Sequence, residues 1–140
     1  RFHINAGRIE MQGDPVKNNL KGLFQHIQDS GHMLVSYNWV PREEFLLTCA
    51  RMDIGLQCNF SETFNIVSAD LISRGVPIVG SSEIPWSSSF FNANPNDSKD
   101  IADKLLLAYK MPQIDVFLNQ FNLSKYTEKT KKIWANYFEG

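Results

Sequence analysis

The chain has 140 residues, of which 43% are hydrophobic and 21% charged, and its formal net charge is −1. This length is sufficient for a domain with its own core, and this composition excludes a disordered chain. The small net charge provides no basic field for polyanions, which argues against nucleic acids and membrane surfaces as partners. No run of about 18 apolar residues occurs, so no membrane span is predicted.

Hydrophobic periodicity, followed in chain order, predicts strands that alternate with helices. Strands are predicted at residues 1–6, 32–40, 53–58 and 76–80, and residues 89–93 are the candidate for a short fifth strand. Helices are predicted at 16–29, after Pro41, at 62–74, from Asp97 or Ser98 to about Lys110, and at 114–138 with an interruption near Asn122. Asp14 is a candidate cap for the first helix, and Gly75 ends the third.

This alternation indicates an α/β fold: a Rossmann-like, doubly wound parallel sheet in three α/β/α layers, formed by residues 1–140 as a single domain. In such sheets ligands bind at the carboxyl ends of the strands. The loops that the pattern places along that edge are residues 6–8, 38–41, 59–65 and 81–86.

The two cysteines, Cys49 and Cys58, have no histidine beside them and make a poor zinc set, so no metal site is expected. Buried free thiols in a reducing compartment are the simpler interpretation, and residues 1–10 lack the apolar core of a signal peptide. A cytoplasmic protein is therefore predicted.

Glu62 and Asp70 are eight positions apart in the sequence. Glu62 precedes an apolar helical pattern, and Asp70 lies within that pattern. The structural interpretation is that Glu62 is a first-turn acid favoured by the helix dipole, with Ser61 or Thr63 as the N-cap. The functional interpretation starts from the helix N-terminus after the third strand, which can hold a phosphate. Along a helix the two acids would lie about 12 Å apart, too far for one acid–base pair but suited to two ends of a nucleoside-diphosphate sugar.

The stretch Glu62, seven residues, Asp70, followed by Gly75-Val76-Pro77-Ile78-Val79, resembles the carboxyl-terminal domain of GT-B-fold retaining glycosyltransferases of the group 1 type. Residues 36–46, 50–58 and 90–108 are also similar to segments of that domain. The resemblance implies a hexosyltransferase-like enzyme that transfers a sugar from a nucleoside-diphosphate sugar to an acceptor hydroxyl, with no cofactor and no metal.

The resemblance also assigns roles to individual residues. Glu62 would face the hydroxyls of the donor sugar, and backbone N–H groups near Thr63, Phe64 and Asn65 would meet the diphosphate. Asp70 would bind the ribose. The remaining contacts would be Trp39 and Val40 near the base, and Arg8 as a diphosphate cation. The family usually has Glu at the second acid position and Gly where Asn65 stands.

The segment 7–18 aligns better with the family's second strand and helix than with its first strand and the Gly-Arg segment that follows it. The sequence therefore predicts a domain without its first strand, whose place a missing segment or a second copy of the chain would fill. An amino-terminal acceptor domain would also be absent, and the chain alone would show little activity.

A second function fits the same fold. Five residues form a locally apolar stretch that could be an exposed contact surface of a non-catalytic interaction module; alternatively, they cover the end of the sheet. They are Ile84, Pro85, Trp86, Phe90 and Phe91.

Overall fold

The structure is a computed structural model that describes residues 1–5, 14–26 and 31–139. Its helices and strands, in chain order, are β1 (Phe2–Asn5), α1 (Asp14–His26), β2 (Leu34–Tyr37), α2 (Arg42–Cys49), β3 (Gly55–Gln57), α3 (Ile66–Ser73), β4 (Ile78–Gly80), α4 (Ser98–Lys110) and α5 (Pro112–Glu139). The chain divides into two compact units, residues 1–45 and 46–140. Among the described helices, none combines the length and the apolarity needed to cross a membrane.

The first unit contains the parallel pair β1–β2, with Phe2 opposite Leu34 and Asn5 opposite Tyr37. The Phe2 ring lies 5.6 Å from the ring of Phe24, which joins the strand pair to α1. A hydrogen bond of 2.9 Å links His3 Nδ1 to the Tyr37 hydroxyl across the two strands. Side-chain contacts therefore support the short ladder.

The second unit contains the parallel pair β3–β4, with Gly55 opposite Ile78. A Cβ atom at Gly55 would lie 2.3 Å from Leu71 Cδ1, so the absence of a side chain there lets α3 pack closely on β3. Val79, Phe91 and Ala108 are at most 1% exposed and belong to one core cluster, with Ile101 and Leu105 of α4 packed against it. This core supports the carboxyl ends of β3 and β4.

The α/β class and the parallel strand pairing agree with the sequence prediction. The described strands form two separate two-stranded sheets, β1–β2 and β3–β4, and no ladder joins the pairs into one doubly wound sheet. Residues 89–91 form a turn and residues 92–93 are irregular, so the predicted fifth strand is not formed. Ala93 donates one backbone hydrogen bond to the Gly80 carbonyl, and a single bond does not make a ladder.

Two predicted helix boundaries were wrong. α3 begins at Ile66, because Asn65 has a φ of 58°, and a left-handed residue cannot belong to a right-handed helix. Glu62 therefore lies in the loop before α3, and its predicted place in the first turn, with the helical spacing to Asp70, does not hold. α5 begins at Pro112, because proline is tolerated at the first helical position, where no N–H partner is needed. The helix then continues to Glu139, so the predicted interruption near Asn122 does not occur.

The apolar stretch at residues 84–91 is mostly core. Ile84, Trp86 and Phe91 are at most 2% exposed, whereas Phe90 is 51% exposed. Successive turns fold this segment back, with Ile84 N–H bonded to the Ser81 carbonyl and Phe91 N–H to the Ser88 carbonyl. The surface patch suggested by the sequence is thus wrong for three of its five residues, and the alternative of a covered sheet end is the better description.

The cap of α4 provides a direct test of local stability. The Asp97 carboxylate accepts hydrogen bonds from the backbone N–H groups of Lys99 and Asp100, at 2.9 and 3.1 Å. We expect Asp97→Ala to lower the free energy of unfolding by about 1 kcal/mol, measured by urea denaturation, because two helix-terminal donors lose their acceptor. Asp97→Asn keeps an acceptor and is expected to lose less; equal losses in both variants would contradict the capping role.

Candidate functional site

The loop between β3 and α3, residues 58–65, is fixed from two sides. Ser81 Oγ donates a hydrogen bond of 2.7 Å to the Asn59 carbonyl, and Trp86 Nε1 donates one of 2.6 Å to the Phe64 carbonyl. The Phe64 ring also packs between Trp86 and Tyr126, at centroid distances of 6.0 and 5.9 Å. The loop that contains Glu62 is therefore held in place by hydrogen bonds and ring packing from other parts of the second unit.

The Glu62 carboxylate accepts hydrogen bonds through both oxygens. Oε1 accepts from the Thr63 backbone N–H at 2.8 Å, and Oε2 accepts from the side-chain amides of Asn59 and Asn65 at 2.9 and 3.0 Å. The Thr63 N–H is the main cause that holds the pKa of Glu62 below its ordinary value, and the two amides act in the same direction. Glu62 is accordingly an ionised, oriented acceptor at neutral pH.

Asn65 is the N-cap of α3 and is 6% exposed. Its Oδ1 accepts from the Ser68 backbone N–H at 2.8 Å, while its Nδ2 donates to Glu62 Oε2 and to Gln57 Oε1. One side chain thus joins the end of β3, the acidic loop and the first turn of α3. The predicted caps, Ser61 and Thr63, were wrong because the helix begins later.

The first turn of α3 leaves backbone donors unused. Among the described residues, no acceptor is found for the N–H groups of Ile66 and Val67. Both residues are exposed, at 61% and 37%. Unsatisfied N–H groups at a helix N-terminus carry partial positive charge and favour an anion such as a phosphate.

The structure brings Glu62, Thr63, Phe64 and Asn65 together in one hydrogen-bonded loop. Asp70 lies on α3 in the same unit and is 6% exposed.

The other predicted contacts lie outside this second unit. Trp39, 66% exposed, and the half-buried Val40 belong to the first unit. Arg8 lies outside the described residues.

Three residues that shape this loop were given no role at the site from the sequence, although residues 59–65 and 81–86 were placed along the same edge. Gln57 and Asn59 bond the amide and carboxylate of the loop, and Trp86 holds the Phe64 carbonyl. Gln57 and Asn59 could have been found from the sequence, because they are polar residues at the carboxyl end of a predicted strand. Trp86 lies 22 residues beyond Phe64, so only the tertiary fold reveals that contact.

The described residues contain no group of three His, Cys, Asp or Glu side chains that could hold a metal ion. Neither Cys49 nor Cys58 forms a disulfide. Cys58 Sγ lies 3.3 Å from the Gly80 carbonyl, and burial, followed by the charge of Asp100, raises the pKa of this thiol. A thiol with a raised pKa is a poor nucleophile at neutral pH.

Comparison with known proteins supplies a fold relative. No protein-family model matches the chain, and no curated protein matches it. Among solved structures, sucrose-phosphate synthase from Thermosynechococcus elongatus matches with a TM-score of 0.66 and 12% identity, over 98% of this chain and 38% of that one. The chain therefore shares the α/β fold of a part of that enzyme, and it spans 38% of that enzyme's length.

Proposed function

We propose that this chain is the donor-binding part of a retaining glycosyltransferase that transfers a sugar from a nucleoside-diphosphate sugar to an acceptor hydroxyl. One observation carries the proposal: an ionised carboxylate, Glu62, is fixed by three donors directly before a helix N-terminus whose first N–H groups are unused. The fold shared with sucrose-phosphate synthase supports a sugar-transfer origin.

In this proposal the donor lies across the start of α3. The diphosphate accepts hydrogen bonds from the first-turn N–H groups of Ile66 and Val67, since the Thr63 N–H is already bonded to Glu62. Glu62 accepts from the sugar hydroxyls, for which a carboxylate is a strong partner. Asp70 binds the ribose.

The chemistry that this arrangement favours is electrostatic. Breaking the bond between sugar and phosphate leaves negative charge on the diphosphate, and N–H groups already in place stabilise that charge without reorganisation. Glu62 contributes by orienting the sugar, because an acid held ionised has no proton for the leaving group. The acceptor site and the rest of the sheet belong to a longer protein or a partner chain, in a cytoplasmic setting.

Ligand-observed NMR tests the proposal with UDP, GDP and ADP, each compared with UDP-glucose, GDP-mannose and ADP-glucose. We expect one nucleotide series to bind, with the sugar conjugate tighter than the nucleotide. Glu62→Gln should remove most of that sugar increment, about tenfold in Kd, because a charged acceptor is lost while the shape is kept. Asp70→Asn should weaken the nucleotide and its sugar conjugate alike.

Glu128→Gln is the matched control, since it removes an exposed carboxylate on α5 that pairs with Lys131. It should leave both dissociation constants unchanged. Absence of binding across the whole panel, or a sugar increment that survives in Glu62→Gln, would contradict the proposed function.

A further inference from the structure

At Asn65 the backbone conformation and the side-chain hydrogen bonds contribute separately to the structure. Its φ of 58° turns the chain into α3, and Asn is one of the few non-glycine residues that adopt this conformation readily. The side chain is buried and makes three hydrogen bonds, to Ser68, Glu62 and Gln57. Glycine would satisfy the backbone but make none of these bonds.

The three partners fix which way the amide points. The oxygen must face the Ser68 N–H, which is a donor, and the nitrogen must face Glu62 Oε2 and Gln57 Oε1, which are acceptors. A flipped amide would set its oxygen against a carboxylate and lose all three bonds. The network therefore has one arrangement, and it holds Glu62 Oε2 at 3.0 Å from Asn65 Nδ2.

We propose that Asn65 is a positioning residue for Glu62: its amide nitrogen holds the carboxylate beside the first turn of α3, where the donor sugar's hydroxyls would meet it. The effect on sugar binding rests on the proposed function, whereas the hydrogen bond between Asn65 and Glu62 is present in the unliganded protein. The Asn65 amide links the orientation of the acid to the cap of the helix that seats the phosphate.

Two substitutions separate positioning from capping. Asn65→Asp tolerates the left-handed backbone and retains an acceptor for the Ser68 N–H, but it replaces the donor to Glu62 with a second negative charge. Asn65→Gly keeps the backbone conformation and removes both the cap and the donor. Asn59→Ala is the comparison variant, because it removes the other amide on Glu62 Oε2 and leaves the cap of α3 intact.

The first measurement is the pKa of the Glu62 carboxyl by NMR titration of the unliganded chain, with thermal melts by circular dichroism alongside. We expect the pKa to rise by about one pH unit in Asn65→Asp, and by less in Asn65→Gly, where a donor is lost without an added charge. The melting temperature should fall in both variants, because Asn65→Gly loses the cap of α3 and Asn65→Asp places a buried carboxylate beside that of Glu62. An unchanged Glu62 pKa in both variants would overturn the inference, and Asn65→Gly decides the result if Asn65→Asp does not fold.

The second measurement is the sugar increment, taken as the ratio of Kd for each nucleotide to that of UDP-glucose, GDP-mannose or ADP-glucose. Asn65→Asp should reduce this ratio about tenfold. Its added negative charge beside the first turn of α3 should also weaken binding of the nucleotide alone, whereas Asn65→Gly adds no such charge. An undiminished ratio would overturn the positioning role even if the pKa moves. If the unsubstituted chain binds none of the probes, the proposed function fails, whereas the titration still decides whether Asn65 controls Glu62.

Discussion

Replacing Trp86 with alanine is expected to lower the free energy of unfolding by about 3–5 kcal/mol, measured by urea denaturation. The side chain is 2% exposed, and its loss would leave a cavity beside Phe64 as well as an unpaired Phe64 carbonyl. The loop that holds Glu62 would also lose one of its two outside supports. The variant should therefore weaken any donor binding under conditions where it remains folded.

Trp86→Phe separates the two contributions. Phenylalanine keeps most of the apolar contact but lacks the indole N–H, so we expect a smaller loss, about 1 kcal/mol for the hydrogen bond plus a fraction of the packing. A Trp86→Ala variant as stable as the unsubstituted chain would show that residues 84–91 do not form core, contrary to the buried positions of Ile84 and Phe91.

Asp115 should make the second unit more stable as the pH falls from neutrality. It is fully buried on α5, and its Oδ1 accepts from the Ile78 backbone N–H at 3.0 Å and from Asn119 Nδ2 at 3.1 Å. Among the described residues its Oδ2 has no partner. Burial raises the pKa of Asp115 from 3.8 to about 6, and the two hydrogen bonds only partly oppose this.

The direction follows from linkage. A carboxyl whose pKa is higher in the folded than in the unfolded state stabilises the fold fully below the unfolded value, and this stabilisation is lost as the pH rises through the folded value. For Asp115 the window runs from 3.8 to about 6. Ionisation in the folded state therefore opposes folding at neutral pH, by up to about 3 kcal/mol at about 1.4 kcal/mol per pH unit.

Asp115→Asn tests this directly, because it keeps the acceptor for Ile78 and removes the charge. We expect the variant to be more stable than the unsubstituted chain at about pH 8, by up to about 3 kcal/mol, and nearly equal to it at about pH 4, as measured by urea denaturation. Comparing the two proteins at each pH cancels the titration of Glu62 and Glu128, whose lowered pKa values act in the opposite direction. A difference independent of pH would contradict the buried, ionisable Asp115.

Much of the secondary structure could be predicted from residue pattern. The α4 helix runs over Ser98–Lys110 as expected, because Asp97 caps its start and its apolar residues recur with helical spacing. α3 ends where Gly75, with a φ of 76°, reverses the chain. These features depend on residues close in sequence, so the local pattern is sufficient to find them.

The start of α3 shows the limit of the same method. Ser61 and Thr63 are as good caps in isolation as Asn65, and the pattern of apolar residues does not choose among them. Asn65 is selected because its amide also meets Gln57 and Glu62, and the loop before it is held by Ser81 and Trp86. That selection comes from contacts between distant parts of the chain.

The sequence by itself determined the α/β alternation and the position of Glu62 at the carboxyl end of a strand, since both follow from periodicity and chain order. The resemblance carried by the residues from Glu62 to Val79 led to the expectation of an α/β fold, and the chain shares such a fold with a part of sucrose-phosphate synthase. Only the tertiary structure decided that residues 84–91 are mostly core, that the Asn65 amide donates a hydrogen bond to Glu62, and that Asp115 is buried without a cation among the described residues. The physical reason is that burial and hydrogen bonding depend on tertiary contacts between distant segments, and the spacing of residues along the chain does not specify those contacts.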